Sequence, residues 1–142
     1  QLTGPEIWKD SDGAVTHFIS CMGTTGTIVG VARHLKEQNP KIQVIGVQPV
    51  EGCQIAGMRN WSPQYLPTIY DPDLIDDVVE ISPELAGETV RRLAQEEGIF
   101  AGISSGAAVA AALRVCRRVE NAVIATIACD RGERYLSTGL YD

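Results

Sequence analysis

The chain has 142 residues, 44% of them hydrophobic and 21% charged, enough to bury one core, so one domain or part of one is expected. Its net charge of −6 and its three lysines argue against a nucleic-acid binder, because affinity for phosphate backbones comes from clustered Lys and Arg. A small neutral or anionic metabolite fits better.

No apolar run approaches the length of a membrane span, and the opening QLTGPEIWKD has neither a basic leader nor an apolar signal core. A cytoplasmic protein without membrane contact is the expectation. Thr3 or Gly4 caps a first helix, with Pro5 in its first turn and Glu6 near its positive end. Val15 to Ser20 is β-branched and aromatic and reads as a strand. From Gly26 onward Ile28, Val31, Ala32 and Leu35 share one helical face until Asn39-Pro40 ends the helix. Ile42 to Val47 is a second strand, completing a βαβ unit whose strands run parallel.

Between Pro49 and Pro72 periodicity is lost in a loop of a length that is more often functional than idle. Leu74 to Ile81 reads as a strand. Ser82-Pro83-Glu84 then caps a helix bearing Leu85, Val90, Leu93 and Ala94, which Gly98 stops. The run AGISSGAAVAAALRVCRR is apolar on nearly every face and predicts a buried helix, with Arg114, Arg117 and Arg118 at its negative end. Ala122 to Ala128 is the last strand. The sum is an α/β fold with a mostly parallel sheet and flanking helices, whose ligands sit at strand carboxyl ends.

Cys21, Cys53, Cys116 and Cys129 lie far apart without C-x-x-C spacing, so reduced and mostly buried thiols are expected. His17 and His34 fit no ligand pattern, and no metal is expected.

Three polar turns close strands or open helices: Gly23-Thr24-Thr25-Gly26-Thr27, Gly102-Ile103-Ser104-Ser105-Gly106, and the segment from Cys129 to Tyr135. In the first, glycines let amides turn inward, hydroxyls add donors, and the following helix presents its positive end, which together suit an anion. It lacks the lysine of a Walker loop, and its glycine spacing does not match G-x-G-x-x-G, so a single phosphate held without a cation is one reading. A plain strand-to-helix turn with Thr as cap is the other. In the second turn Ser104 or Ser105 is expected to cap the buried helix.

The strings TGPEIW, MGTTGT, GIFAGISSGAAVAAAL and CDRGERYLSTG resemble, in order and over essentially all residues, the C-terminal half of cysteine synthase, also called O-acetylserine sulfhydrylase. Thr24-Thr25, Arg59-Asn60-Trp61 and Cys129-Asp130-Arg131 are similar to the B-type isozyme more than to the A-type, whose last motif reads SSGERYLS. The resemblance implies a fold-type II pyridoxal-phosphate enzyme, with residues 1–142 as the C-terminal part of its cofactor-binding large domain. It places the cofactor phosphate on Gly23, Thr24, Thr25, Gly26 and Thr27, and the pyridine nitrogen on Ser104. It also implies β-replacement: O-acetylserine reacts with sulfide or thiosulfate to give cysteine or S-sulfocysteine plus acetate, in a homodimer.

The family's Schiff-base lysine lies in an S-V-K-D-R-type stretch and its substrate-carboxylate loop reads T-S-G-N-T-G; neither string occurs here. Lys9, Lys36 and Lys41 sit in polar contexts and none is given that role, so these residues alone are expected to be inactive. Arg59 is a candidate contact for an anionic sulfur donor, or a solvated surface arginine. Asp130 is a candidate for orienting a proton or water, and Cys129 for engaging sulfur or standing as an inert thiol. Two other readings remain: a nucleotide-binding Rossmann-type half-domain, for which Val47-Gln48-Pro49 offers no ribose-binding carboxylate, and a non-catalytic partner-binding fragment.

Overall fold

The structure is a computed structural model that describes residues 2–142. Four strands, β1 (His17–Cys21), β2 (Gln43–Pro49), β3 (Asp77–Ile81) and β4 (Ile124–Thr126), form one sheet in the order β3-β2-β1-β4 with every pairing parallel. Ile19 stands opposite Ile45 on one side and Thr126 on the other. Side chains alternate across the sheet, so Phe18 and Val44 enter one core while Ile19, Ile45 and Val47 enter the other. Helices α1 (Thr3–Asp10) and α2 (Gly26–Gln38) cover the first face, and α3 (Pro83–Glu97) and α4 (Ile103–Cys116) the second.

The helices follow their local signals where those are strong. Ser82 Oγ accepts the Leu85 N–H at 3.3 Å, and Gly98 ends α3 in the left-handed conformation at φ +69°. Ile28, Val31, Ala32 and Leu35 are buried along α2 as their spacing predicts. Helix α4 is buried through Ala111, although Leu113 near its end is exposed. Helix α1 already includes Thr3 and has no side-chain cap.

The serines of α4 do not cap it. Gly102 is the N-cap, and the Ser105 N–H returns to the Gly102 carbonyl at 3.0 Å, which places Ser104 and Ser105 inside the first turn, both buried. A β-carbon on residue 102 would meet Asp130 and lie 2.7 Å from Tyr135 Cε2, so only glycine leaves room for the segment crossing there.

The second strand runs on to Pro49, beyond the Ile42 to Val47 run, whereas the third and last strands are shorter than their apolar runs suggest. Pro72–Leu74 forms a 3-10 turn, with Asp71 accepting the Asp73 N–H, so β3 starts only at Asp77. After β4 the chain leaves the sheet and Arg131 bridges Ala101 in antiparallel fashion, which shortens the last strand. The long 49-to-72 connection is packed: Ile55 and Met58 are buried in the core beneath α3 and α4.

All four cysteines are free, but they are not mostly buried. Cys53, Cys116 and Cys129 are exposed and only Cys21 is partly buried, because the first three fall in a loop, at a helix end and after a strand end. No helix among the described residues is long and apolar enough to cross a membrane.

Candidate functional site

The chain runs outward from β1 through β2 to β3, then returns to place β4 on the other side of β1. That reversal opens a crevice at the carboxyl ends of β1 and β4, the usual ligand position in an open parallel sheet. A cavity of about 340 Å³ lies there, lined by Cys21, Gly23, Thr24, Thr25 and Thr27 after β1, by Ala56 and Gly57, by Ser104, and by Cys129, Asp130 and Tyr135 after β4. All three polar turns marked in the sequence therefore meet. The bond from the Gly102 N–H to the Asp130 carbonyl, at 3.0 Å, ties the second to the third.

Within the first turn, among the described residues, no protein acceptor takes the N–H of Gly23, Thr24, Thr25, Gly26 or Thr27. Thr25 is held at φ +67°, a left-handed conformation that costs a β-branched residue about 1–2 kcal/mol. Its side chain is buried at 3% exposure, and its Oγ1 has no hydrogen-bond partner. An orphaned buried hydroxyl beside unclaimed amides at a helix N-terminus is a donor set for one anion. No lysine or arginine lines this cavity.

Ser104 is 5% exposed, and its carbonyl accepts the Cys21 thiol at 3.1 Å. Burial pushes the Cys21 thiol up to about 12, with the neighbouring Cys129 adding to the rise. Although Cys129 is exposed, partial desolvation at the cavity wall raises its thiol, with the Asp130 charge adding to the rise. The Tyr135 hydroxyl donates to Asp130 Oδ2 at 2.7 Å. Burial, then that bond and the Asp130 charge, push Tyr135 up to about 12. The other carboxylate oxygen, Asp130 Oδ1, is buried without a partner.

Arg59 stands elsewhere. It lines a separate cleft of about 450 Å³ with Pro49, Gly52, Cys53, Gln54, Met58 and Asn60, and its Nη1 donates to the Met58 carbonyl at 2.8 Å. Gly26 is at the start of α2 but does not line the main cavity. Ala56, Gly57, Cys21 and Tyr135 join the site without having been singled out for it. Tyr135 ends the third polar turn and was legible to that extent, whereas Ala56 and Gly57 sit in the aperiodic loop, where no local pattern marks them.

Residues 1–130 match a family described as pyridoxal-phosphate dependent enzymes. Cysteine synthase B of Pseudomonas aeruginosa is 59% identical over 140 residues, which cover 99% of this chain and 47% of that protein. Its namesake from Salmonella typhimurium is 52% identical, across 98% of this chain and 46% of the relative. The crystal structure of O-acetylserine sulfhydrylase isoform 3 from Entamoeba histolytica superposes with a TM-score of 0.84 at 36% identity, over 98% of this chain and 44% of that one. The chain spans about half the length of the curated relatives it matches. These likenesses do not favour a Rossmann half-domain or a non-catalytic fragment. With its parallel sheet, its crevice at the strand ends and the match over residues 1–130, the chain belongs to the pyridoxal-phosphate-dependent enzymes.

Proposed function

We propose that this protein makes cysteine by β-replacement, exchanging the acetate of O-acetylserine for sulfide or thiosulfate and giving cysteine or S-sulfocysteine. The observation that carries the reading is the set of unclaimed amides and the orphaned Thr25 hydroxyl in a cavity that Ser104 also lines. Likeness to cysteine synthase B supports the substrate class.

The residues fit a phosphate monoester beside an aromatic nitrogen heterocycle. Gly23, Thr24, Thr25 and Thr27 would hold the monoester through amides and hydroxyls, with Gly26, which does not line the cavity, opening the helix behind them. Ser104, which lines the same cavity, would offer its hydroxyl to the pyridine nitrogen. When bound, pyridoxal phosphate supplies an electron sink for charge developing on the substrate α-carbon. A serine hydroxyl bonds that nitrogen without holding it protonated as a carboxylate does, and a restrained sink suits loss of a β-substituent.

The third turn supplies the polar wall. Tyr135 occupies one oxygen of Asp130 and leaves Oδ1 as an acceptor able to orient a proton or water. With its thiol pKa raised by desolvation and the Asp130 charge, Cys129 would meet a sulfur donor as a weak hydrogen-bond donor. Arg59 offers charge to an anionic donor approaching through its own cleft. In this reading the chain is the C-terminal part of the cofactor-binding domain of a cytoplasmic homodimer. Its lysines stay outside the chemistry: Lys36 is paired with Asp76 at 2.7 Å, and Lys9 and Lys41 are exposed.

The test uses the full-length protein and follows visible absorbance, acetate release and the phosphorus resonance of the cofactor. A visible band that O-acetylserine shifts, with acetate released, is expected. A full-length protein with no such band, or one that O-acetylserine leaves unchanged, overturns the reading.

A further inference from the structure

Trp61 is 38 residues from Gly23 in sequence, yet its indole N–H donates to the Gly23 carbonyl at 2.7 Å. Two residues earlier the Arg59 N–H donates to the Met22 carbonyl at 2.8 Å. The segment from Gly57 to Trp61 thus lies along the first turn and takes two consecutive carbonyls out of it. Gly23 and Thr24 line the cavity, whereas Arg59 and Trp61 do not.

A trans peptide directs its C=O and N–H to opposite sides, and the peptide bonds here are trans. Holding the Gly23 carbonyl toward Trp61 therefore holds the Thr24 N–H on the opposite side, and the Arg59 bond does the same for the Gly23 N–H. Were the Gly23–Thr24 plane to turn over, a carbonyl dipole would replace an amide donor in front of an anion. The loss would be twofold, one donor removed and one repulsive oxygen added.

We propose that Trp61 is a positioning residue for the anion cradle, a latch from the 49-to-72 loop that sets the Gly23–Thr24 peptide plane. The inference rests on the reading of that turn as a phosphate site. Indole nitrogen is a donor only, so its bond to a carbonyl has one sense and cannot invert to stabilise the flipped plane. By linkage, a phosphate held in the cradle strengthens the latch by the factor with which the latch strengthens phosphate binding.

The test compares the affinities of the full-length protein for pyridoxal phosphate and for pyridoxal, in wild type and in Trp61→Phe, which keeps an aromatic ring and deletes the N–H. Loss of the latch is expected to weaken pyridoxal phosphate roughly five- to tenfold, the size of one hydrogen bond, and to leave pyridoxal unchanged. Equal weakening of both ligands would mark a general structural role and overturn the proposal. If wild type itself prefers pyridoxal phosphate and the variant keeps that preference in full, the latch alone falls. A wild type that does not distinguish the two ligands removes the cradle reading, and the latch with it. Should the variant not fold, hydrogen exchange at the wild-type Trp61 indole decides: the cofactor phosphate slows it if the latch exists, and an unchanged rate overturns the proposal.

Discussion

The carbonyl oxygen of Gly57 lies 2.7 Å from the point where a β-carbon on Gly23 would sit. Backbone from the long loop therefore presses on the first residue of the anion turn so closely that no side chain fits between them. Substitution Gly23→Ala must push the two segments apart, and because the obstacle is backbone, no rotamer change relieves it. Overpacking of this kind costs about 1–3 kcal/mol. We expect the full-length Gly23→Ala protein to unfold at lower urea and to lose most of its preference for pyridoxal phosphate over pyridoxal, measured by denaturation and by ligand titration. Unchanged stability and unchanged preference would mean that the loop does not seat against the turn.

Thr25 separates stability from binding. Its buried hydroxyl has no partner in the protein, a situation that costs about 1–3 kcal/mol. Thr25→Ala removes the orphan and keeps a β-carbon at the same backbone conformation. The ligand-free protein is expected to gain on the order of 1 kcal/mol by chemical denaturation, while cofactor affinity falls. A variant that loses ligand-free stability would show that the hydroxyl is satisfied in some other way.

Alkaline pH should destabilise the fold through two groups. The Cys21 thiol rises from 9.0 to about 12 and the Tyr135 hydroxyl from 10.0 to about 12, both chiefly through burial. In each case the folded state holds the proton more tightly than the unfolded chain. The stability they contribute is thus complete below about pH 9 and is lost as pH rises toward 12. Denaturation midpoints measured from pH 8 to 12 should fall across that window, and Cys21→Ala should flatten the lower part of the slope. Alkylation with iodoacetamide at pH 8 offers a second check: exposed Cys53 and Cys116 react first, while Cys21 stays unmodified. Labelling of Cys21 as fast as Cys53 would contradict its burial.

Features governed by near neighbours could be read without a structure. Ser82 caps the Leu85 amide three residues on, Gly98 stops α3 with a backbone conformation that glycine adopts freely, and the spacing of Ile28, Val31 and Leu35 assigns the inner face of α2. The same locality explains why the Gly-Thr turn could be marked as an anion site: its amides and hydroxyls are contiguous. Resemblance of four motifs in order carried the family, since each motif is a run of consecutive residues.

What required the tertiary structure are relations between residues far apart in the chain. That Thr16 Oγ1 meets the Val123 carbonyl across 107 residues, or that Trp61 holds Gly23 across 38, follows from the strand order and not from any pattern near either residue. Ser104 and Ser105 looked like caps because serine at a helix start normally is one. Gly102 takes the cap position instead, and the segment carrying Asp130 and Tyr135 crosses it too closely for a β-carbon. The sequence by itself determined the order and type of the main helices and strands, the family and the chemistry available in each turn, because hydrogen-bonding type and periodicity are local properties. Only the tertiary structure decided which turns share one cavity, which of their donors stay free, and that Arg59 stands outside, because those depend on how β4 returns to the side of β1 away from β2.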